Sequence, residues 1–305
     1  MRTFRTVAIA GGGTMGADIA LTFARAGRAV HVIDPSPAVR AAVASRFAAA
    51  SGLAPVACHE ETATVPWDAV DLWIEAAPER LDLKRRFFAD ADSRARPDAL
   101  LASNSSGFPI SAIAGGLERR ARCFNLHYFM PAHLVPLVEV VCGEASDPVL
   151  AESLAGLMRD TGKVPVLVRR DLPGFLANRL QHALSREAFS MVDAGIATPE
   201  DIDAAVRFGF GFRYLAAGPA LQRDHAGLDV HAAAAATMYP TLCNDAAPAR
   251  ALADRVAAGR LGMKAGGGFR DWPPEAIAAE KARYEALLEA ALALVAAELP
   301  PVKGP

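Results

Sequence analysis

Residues 6–34, TVAIAGGGTMGADIALTFARAGRAVHVID, decide how the rest of the chain is read. The segment TVAIA is a short apolar run that stops at a glycine, the pattern of a buried strand. Gly11, Gly13 and Gly16 then supply G-x-G-x-x-G, with Thr14 and Met15 between the last two. Met15, Ile19, Phe23 and Ala24 recur at helical spacing on one face, and Gly27 closes the helix. A second apolar run, AVHVI, ends at Asp34. Spaced glycines alone are weak evidence. Strand, glycine turn, helix, second strand and an acid about twenty residues on together make a dinucleotide-binding unit.

Each residue type has a physical reason to be there. Gly11 allows the tight turn, Gly13 lets a pyrophosphate approach the backbone, and Gly16 lets the helix pack closely. The helix start offers free N–H groups and partial positive charge to phosphates. Asp34 accepts hydrogen bonds from ribose hydroxyls and repels a 2′-phosphate. Pro35 and Ser36, which follow it, bring no arginine to neutralise one. NAD is therefore the expected cofactor, in preference to NADP.

The alternation continues outward. A helix is expected over 38–50, a loop around Pro55 and Pro66, and a third strand over 69–77, ending in Pro78-Glu79. A charged helix over 81–93 and a fourth strand over 99–103 follow, the strand running into the polar turn Asn104-Ser105-Ser106-Gly107. Such turns at strand ends line ligand sites in open α/β sheets. Residues 125–141, NLHYFMPAHLVPLVEVV, hold His127 in one apolar run and Glu139 in the next, with Pro131 and Pro136 between. If the two runs are neighbouring strands, the carboxylate reaches the imidazole and fixes its tautomer, leaving the other ring nitrogen as a general base. A helix over 151–161 and a last strand, VPVLV, complete this half, and Pro165 suggests a sheet edge.

At Asp171-Leu172-Pro173-Gly174 the pattern changes to helices only, giving expected domains of 1–171 and 172–305. Helices are expected over 175–194, 199–208 with Thr198 as cap, 220–238, 249–259 and 274–299. The last carries Leu287, Leu288, Ala291 and Leu294 on one stripe. Apolar faces of that length predict homodimerisation through the helical half. The fold class is α/β: a Rossmann-type dinucleotide-binding domain followed by an all-α dimerisation domain.

Composition sets the outer bounds. At 305 residues, 52% hydrophobic and 22% charged, the chain can bury two cores. A net charge of −2 gives no basic field for nucleic acid. No segment is apolar for the length a membrane span needs, and MRTFRTVAIAGGG is too short in apolar residues for a signal peptide. Four scattered cysteines, Cys58, Cys123, Cys142 and Cys243, form no metal-ligand spacing. Cys123 and Cys142 are expected in the core and the protein in the cytoplasm.

VAIAGGGTMG, EAAPE, SNSSG, HYFMPAHLVPLVEVV, PGFLANRL, GPALQRDHAGLD and GRLGMKAGGGF occur in one order and spacing. Through them nearly the whole chain resembles the L-3-hydroxyacyl-CoA dehydrogenase family. The resemblance implies NAD-linked oxidation of a 3-hydroxyl to a 3-ketone by a dimer. It implies His127 as catalytic base with Glu139 orienting it, Ser106 and Asn178 holding the reacting oxygen, and Glu79, Lys84, Ser106 and Lys264 contacting the cofactor. Two departures stand out. Met130 occupies a position where the family usually has a cofactor-touching asparagine. The connection from Asp34 to Asp71 carries Arg40 and Arg46 but no lysine, where acyl-CoA enzymes of the family have a lysine-bearing helical hairpin that grips CoA. A branch of the family acts on small free hydroxy acids, and the GFGFRY and QRDHAG segments resemble it. Arg213, Arg223 and His225 are candidate partners for a substrate carboxylate. Surface salt bridging, Arg223 with Asp224 above all, is the plainer alternative for those cations. The expected substrate is a small L-3-hydroxy acid or a short 3-hydroxyacyl-CoA. A non-catalytic NAD-binding structural or sensor protein is the competing class.

Overall fold

The structure, a computed structural model, describes residues 2–305. It consists of two compact units, one of residues 2–178 with 296–305 and one of residues 179–295.

In the first unit β1 (Thr6–Ala10), β2 (Ala29–Ile33), β3 (Val56–His59), β4 (Leu72–Glu75), β5 (Leu100–Ser103), β6 (Cys123–Tyr128), β7 (Leu137–Cys142) and β8 (Val164–Val168) form one sheet. Its order is β3-β2-β1-β4-β5-β6-β7-β8. β1 to β6 run parallel, β7 turns antiparallel to β6, and β8 follows β7 in parallel. The order reverses between β1 and β4, the switch point where the carboxyl ends of strands open a crevice.

Strand alternation sorts the core into two layers. Val7 and Ile9 face α1 (Thr14–Arg25), α2 (Pro37–Ala48) and α5 (Pro148–Asp160), with Ile19, Phe23, Val43, Phe47, Leu154 and Met158 packed among them. Ala8 and Ala10 face α3 (Leu81–Arg94) and the short α4 (Ile110–Ile113), where Trp73 meets Phe88 edge-on at 5.1 Å. Helices on both faces are the reason these strands read as unbroken apolar runs. β8 lies at the sheet edge, as Pro165 suggested.

The sequence expectations need four corrections. The loop around Pro55 contains β3, whose half-buried residues give little hydrophobic signal. The strand expected over 69–77 is only Leu72–Glu75. The helix expected over 220–238 is two, α9 (Pro219–Ala226) and α10 (Leu228–Met238), broken at Gly227 with φ +94°. The last helix, α12 (Pro274–Leu294), stops before 299 and a short 3-10 turn follows. Residues 296–305 return to the first unit, where the Lys303 N–H donates to Asp160 O at 2.8 Å and buried Arg28 donates to Lys303 O at 2.8 Å. The units thus divide at Asn178, a few residues beyond the expected boundary, and the tail lies outside the helical one.

The second unit takes most of α6 (Ala177–Asp193), then α7 (Pro199–Ala205), α8 (Gly211–Arg213), α9, α10, α11 (Arg250–Ala257) and α12. Thr198 and Asp201 cap α7 reciprocally. Asp193 accepts from the N–H groups of Arg250 and Ala251 and so caps α11 from another helix. Phe269 stacks on Phe189 at 5.2 Å under the Arg255 guanidinium. Phe208, Phe212, Leu228, Val230 and Leu294 remain largely exposed. All four cysteines are free; Cys123 is buried, which pushes its thiol up to about 12, and Cys142 is half-buried. No helix among the described residues is long and apolar enough to cross a membrane.

Trp73 is fully buried between β1, β5 and α3. Trp73→Ala is expected to cost about 3–5 kcal/mol through lost burial and the cavity left behind, measured as a lowered urea midpoint with unchanged slope.

Candidate active site

The glycine loop closes around main chain rather than side chains. Gly11 has φ +102°, and a Cβ there would sit 2.7 Å from the Ala76 carbonyl oxygen. A Cβ on Gly16 would lie 1.8 Å from the Gly11 carbonyl, so no side chain fits either position. Gly13 faces open space. The first bond of α1 runs from Ala17 N–H to Gly13 O, and no side chain caps the helix. The N–H groups ahead of it are left for an anion. A cavity of about 910 Å³ begins here, lined by Gly11, Gly13, Thr14 and Met15 on one side. Asp34, Glu60, Ala77 and Phe87 line it further along. Its size and its uncapped donors fit a dinucleotide.

Asp34 accepts from Gly12 N–H at 2.8 Å and from Ser36 N–H at 2.9 Å. Pro35 and Ser36 bring no arginine, but the fold brings one from further along. Arg40, one turn into α2, donates to the Asp34 and Pro35 carbonyls at 2.8 and 3.0 Å.

The cavity's far wall rests on a buried charge cluster that sequence reading did not foresee. Lys84 is 1% exposed. It donates to both oxygens of fully buried Glu75 at 2.9 and 3.0 Å, and pairs with Glu79 at 3.1 Å. Ser103 Oγ donates to Glu75 at 2.6 Å. Glu79 also accepts from Ser105 Oγ at 2.5 Å and from Gly107 N–H at 3.0 Å. Burial pushes the Glu79 carboxyl up, but Ser105 and Lys84 outweigh it and hold it below the usual range. Lys84 therefore spends its donors on the strand end and braces Glu79 and the 104–107 turn. Ser105 caps that turn through Phe108 N–H. The signal available beforehand was only the clustering of Glu75, Glu79 and Lys84 within ten residues.

His127 and Glu139 are direct cross-strand partners on β6 and β7. His127 Nδ1 lies 2.7 Å from Glu139 Oε2, and both side chains are buried. Glu139 Oε1 accepts from the N–H groups of Leu176 and Ala177 at 3.0 and 2.8 Å, so this carboxylate also caps the start of α6. Reaching it requires Gly174 and Phe175 in the left-handed region, at φ +77° and +50°. Phe175 is the one non-glycine residue among those described with positive φ, and its ring meets the His127 ring edge-on at 5.5 Å. Phe129 covers the imidazole from another side at 4.5 Å. Burial raises the Glu139 carboxyl, yet the bonds from His127, Ala177 and Leu176 win and hold it below its ordinary value. With Nδ1 committed to the carboxylate, Nε2 is the nitrogen left to handle a proton.

Asn178 Nδ2 donates to the Ser106 carbonyl at 3.4 Å, which brings these two expected residues together a few residues from the Glu139 cap. Exposed Met130 lies two residues beyond the end of β6. The loop after it is held by Asp18, which accepts from Ala132 N–H and His133, and by Lys163, which donates to the Ala132 and Val135 carbonyls at 2.6 and 2.8 Å. Burial lowers Lys163 to about 8. Arg213, Arg223, His225 and Lys264 all belong to the second unit, on α8, on α9 and in the 262–271 loop. Among the described residues no group of His, Cys, Asp and Glu forms a metal site.

Residues 6–172 match the family described as 3-hydroxyacyl-CoA dehydrogenase, NAD binding domain, and residues 174–272 match 3-hydroxyacyl-CoA dehydrogenase, C-terminal domain. The chain belongs to the 3-hydroxyacyl-CoA dehydrogenase family. It is an NAD-dependent dehydrogenase acting on CH–OH groups. Among its relatives is a 5-formyl-3-hydroxy-2-methylpyridine 4-carboxylate 5-dehydrogenase of Mesorhizobium japonicum, 33% identical over 92% of this chain and 95% of that one. The 3-hydroxyadipyl-CoA dehydrogenase of Escherichia coli is 35% identical over 90% of this chain but 60% of its own length. A solved structure of a 5-formyl-3-hydroxy-2-methylpyridine 4-carboxylic acid 5-dehydrogenase, described as an NAD+-dependent dismutase, superposes with a TM-score of 0.89. It shares 30% identity, over 96% of this chain and 99% of that one. The non-catalytic alternative finds no support among these relatives of the 3-hydroxyacyl-CoA dehydrogenase family.

Glu139, Glu79 and Asp18 are all held below their ordinary carboxylate values, Asp18 against its burial by His133 and Arg46. Below the unfolded value, 4.5 for a glutamate, the unfolded chain binds more protons than the native one. Stability present at neutral pH is therefore lost as pH falls through the depressed native values. Urea midpoints taken from about pH 6 down to about pH 3 should fall, and Glu139→Gln should flatten that slope.

Proposed function

We propose that the enzyme oxidises the hydroxyl of a small L-3-hydroxy acid, or less readily a short 3-hydroxyacyl-CoA, to the 3-keto product, with His127 as the base. The observation that carries the chemistry is the His127 Nδ1–Glu139 bond of 2.7 Å at a ring enclosed by Phe129 and Phe175. His127 takes the hydroxyl proton at Nε2, Glu139 keeps the ring in that tautomer, and the two phenylalanines exclude water. Bound NAD supplies the hydride acceptor. Ser106 and Asn178 provide a hydroxyl and an amide N–H₂ to hold the reacting oxygen as negative charge develops on it.

The small acid is favoured over the thioester by the connection after β2. α2 leads through a turn directly into β3, with no helical hairpin and no lysine, and the segment ends in Glu60-Glu61. A highly anionic CoA ester finds no cationic clamp there. Near-complete coverage of the pyridine-carboxylate dehydrogenase supports the same choice. Arg213 and Arg223 carry the guanidinium forks that suit a substrate carboxylate. The exposed apolar side chains of the second unit support a homodimer formed through it, and four free thiols suit the cytoplasm.

His127→Ala should lower turnover by at least about a hundredfold while leaving NAD titration curves nearly unchanged; retained NADH production would refute the assignment. NADH absorbance separates the substrates. Free 3-keto acids should oxidise NADH faster than acetoacetyl-CoA, and activity with the thioester alone would reverse the substrate assignment.

A further inference from the structure

Asp34 is more than an acceptor for ribose. Its two oxygens are already bonded to main-chain donors, Gly12 N–H and Ser36 N–H, so the carboxylate itself fills a small anion-binding nest at the end of β2. Beside it lies Arg40, only 20% exposed. Its Nη1 donates to the carbonyls of Asp34 and Pro35, and its Nη2 to Glu60 Oε2 at 3.2 Å. Glu60, from the residue after β3, lines the cofactor cavity with Asp34 and Pro35.

We propose that the Asp34 nest and the Arg40–Glu60 pair are a latent site for a ribose 2′-phosphate, closed in this enzyme by two carboxylates, which makes Glu60 a specificity-determining residue for NAD over NADP. A dinucleotide whose pyrophosphate rests on the glycine loop brings its adenosine ribose to the end of β2. A 2′-phosphate arriving there meets the Asp34 charge directly, with Glu60 and Glu61 on the same wall. The cation with the right planar fork is Arg40, but both its terminal nitrogens are engaged. Removing Asp34 frees the Gly12 and Ser36 N–H groups for a phosphate. Removing Glu60 frees Arg40 Nη2 and the charge that Glu60 offsets. The two carboxylates act on one group, so their removal is expected to be non-additive.

Fluorescence titration of the full-length protein with NADPH and NADH, without substrate, tests this independently of the substrate proposed above. Asp34→Ser alone should admit NADPH weakly. Adding Glu60→Gln should tighten NADPH by roughly tenfold more than NADH, and adding Arg40→Gln to that pair should cancel the gain. Equal NADPH affinity with and without Glu60, or a gain that survives Arg40→Gln, overturns the proposal. The same cycle with Glu60→Ala and Arg40→Lys, each checked by thermal unfolding, serves if a glutamine variant fails to fold.

Discussion

One carboxylate, Glu139, ties together three parts of the chain that have no local reason to meet. One oxygen binds the imidazole of the neighbouring strand and the other binds the first N–H groups of α6. The imidazole and, with it, the first N–H groups of this helix hold the carboxyl below its ordinary value despite its burial. The bond to His127 is therefore made by a fixed anion, and the ring cannot turn without abandoning it. The cost is visible in Phe175, held at positive φ so that Leu176 and Ala177 aim inward. Asn178 follows directly, which places its amide beside the Ser106 backbone.

The cofactor side uses the same economy of buried charge. Glu75 and Lys84 are each almost wholly removed from water, an arrangement that stabilises only when every donor and acceptor is met. Here Ser103, Ala77 N–H and Glu79 complete the set. The result is a junction between the ends of β4 and β5, one strand along from the β1–β4 switch point. Lys163 does the equivalent for the loop between β6 and β7, using main-chain carbonyls as acceptors. Neither lysine reaches outward, so each acts by holding a loop.

Much of this was legible beforehand, for identifiable reasons. The strand–glycine–helix–strand pattern of residues 6–34 is local, and its glycines are dictated by backbone approach, so their positions carry the geometry. His127 and Glu139 were legible as a pair because two apolar runs separated by prolines fold back as antiparallel strands. β3 was not, since an edge strand that is only half-buried lacks the apolar run that marks the others. The burial of Lys84 was not legible, because it depends on carboxylates supplied by a strand end and the turn after it. The contact of Arg40 with Asp34 was not legible, because the helix brings its guanidinium back onto the Asp34 carbonyl, a proximity that reading adjacent residues does not reveal.

By itself, then, the amino-acid order determined the α/β start, the change to helices after Asp171, the dinucleotide loop and the pairing of His127 with Glu139, since each depends on spacing within one or two neighbouring elements. Only the tertiary structure decided what completes them: the α6 cap on Glu139, the Glu75–Lys84–Glu79 junction, the Asp18 and Lys163 hold on the 131–136 loop, and the Arg40–Glu60 pair. These join residues from separate elements, and their strength comes from removal from water, which no local pattern encodes.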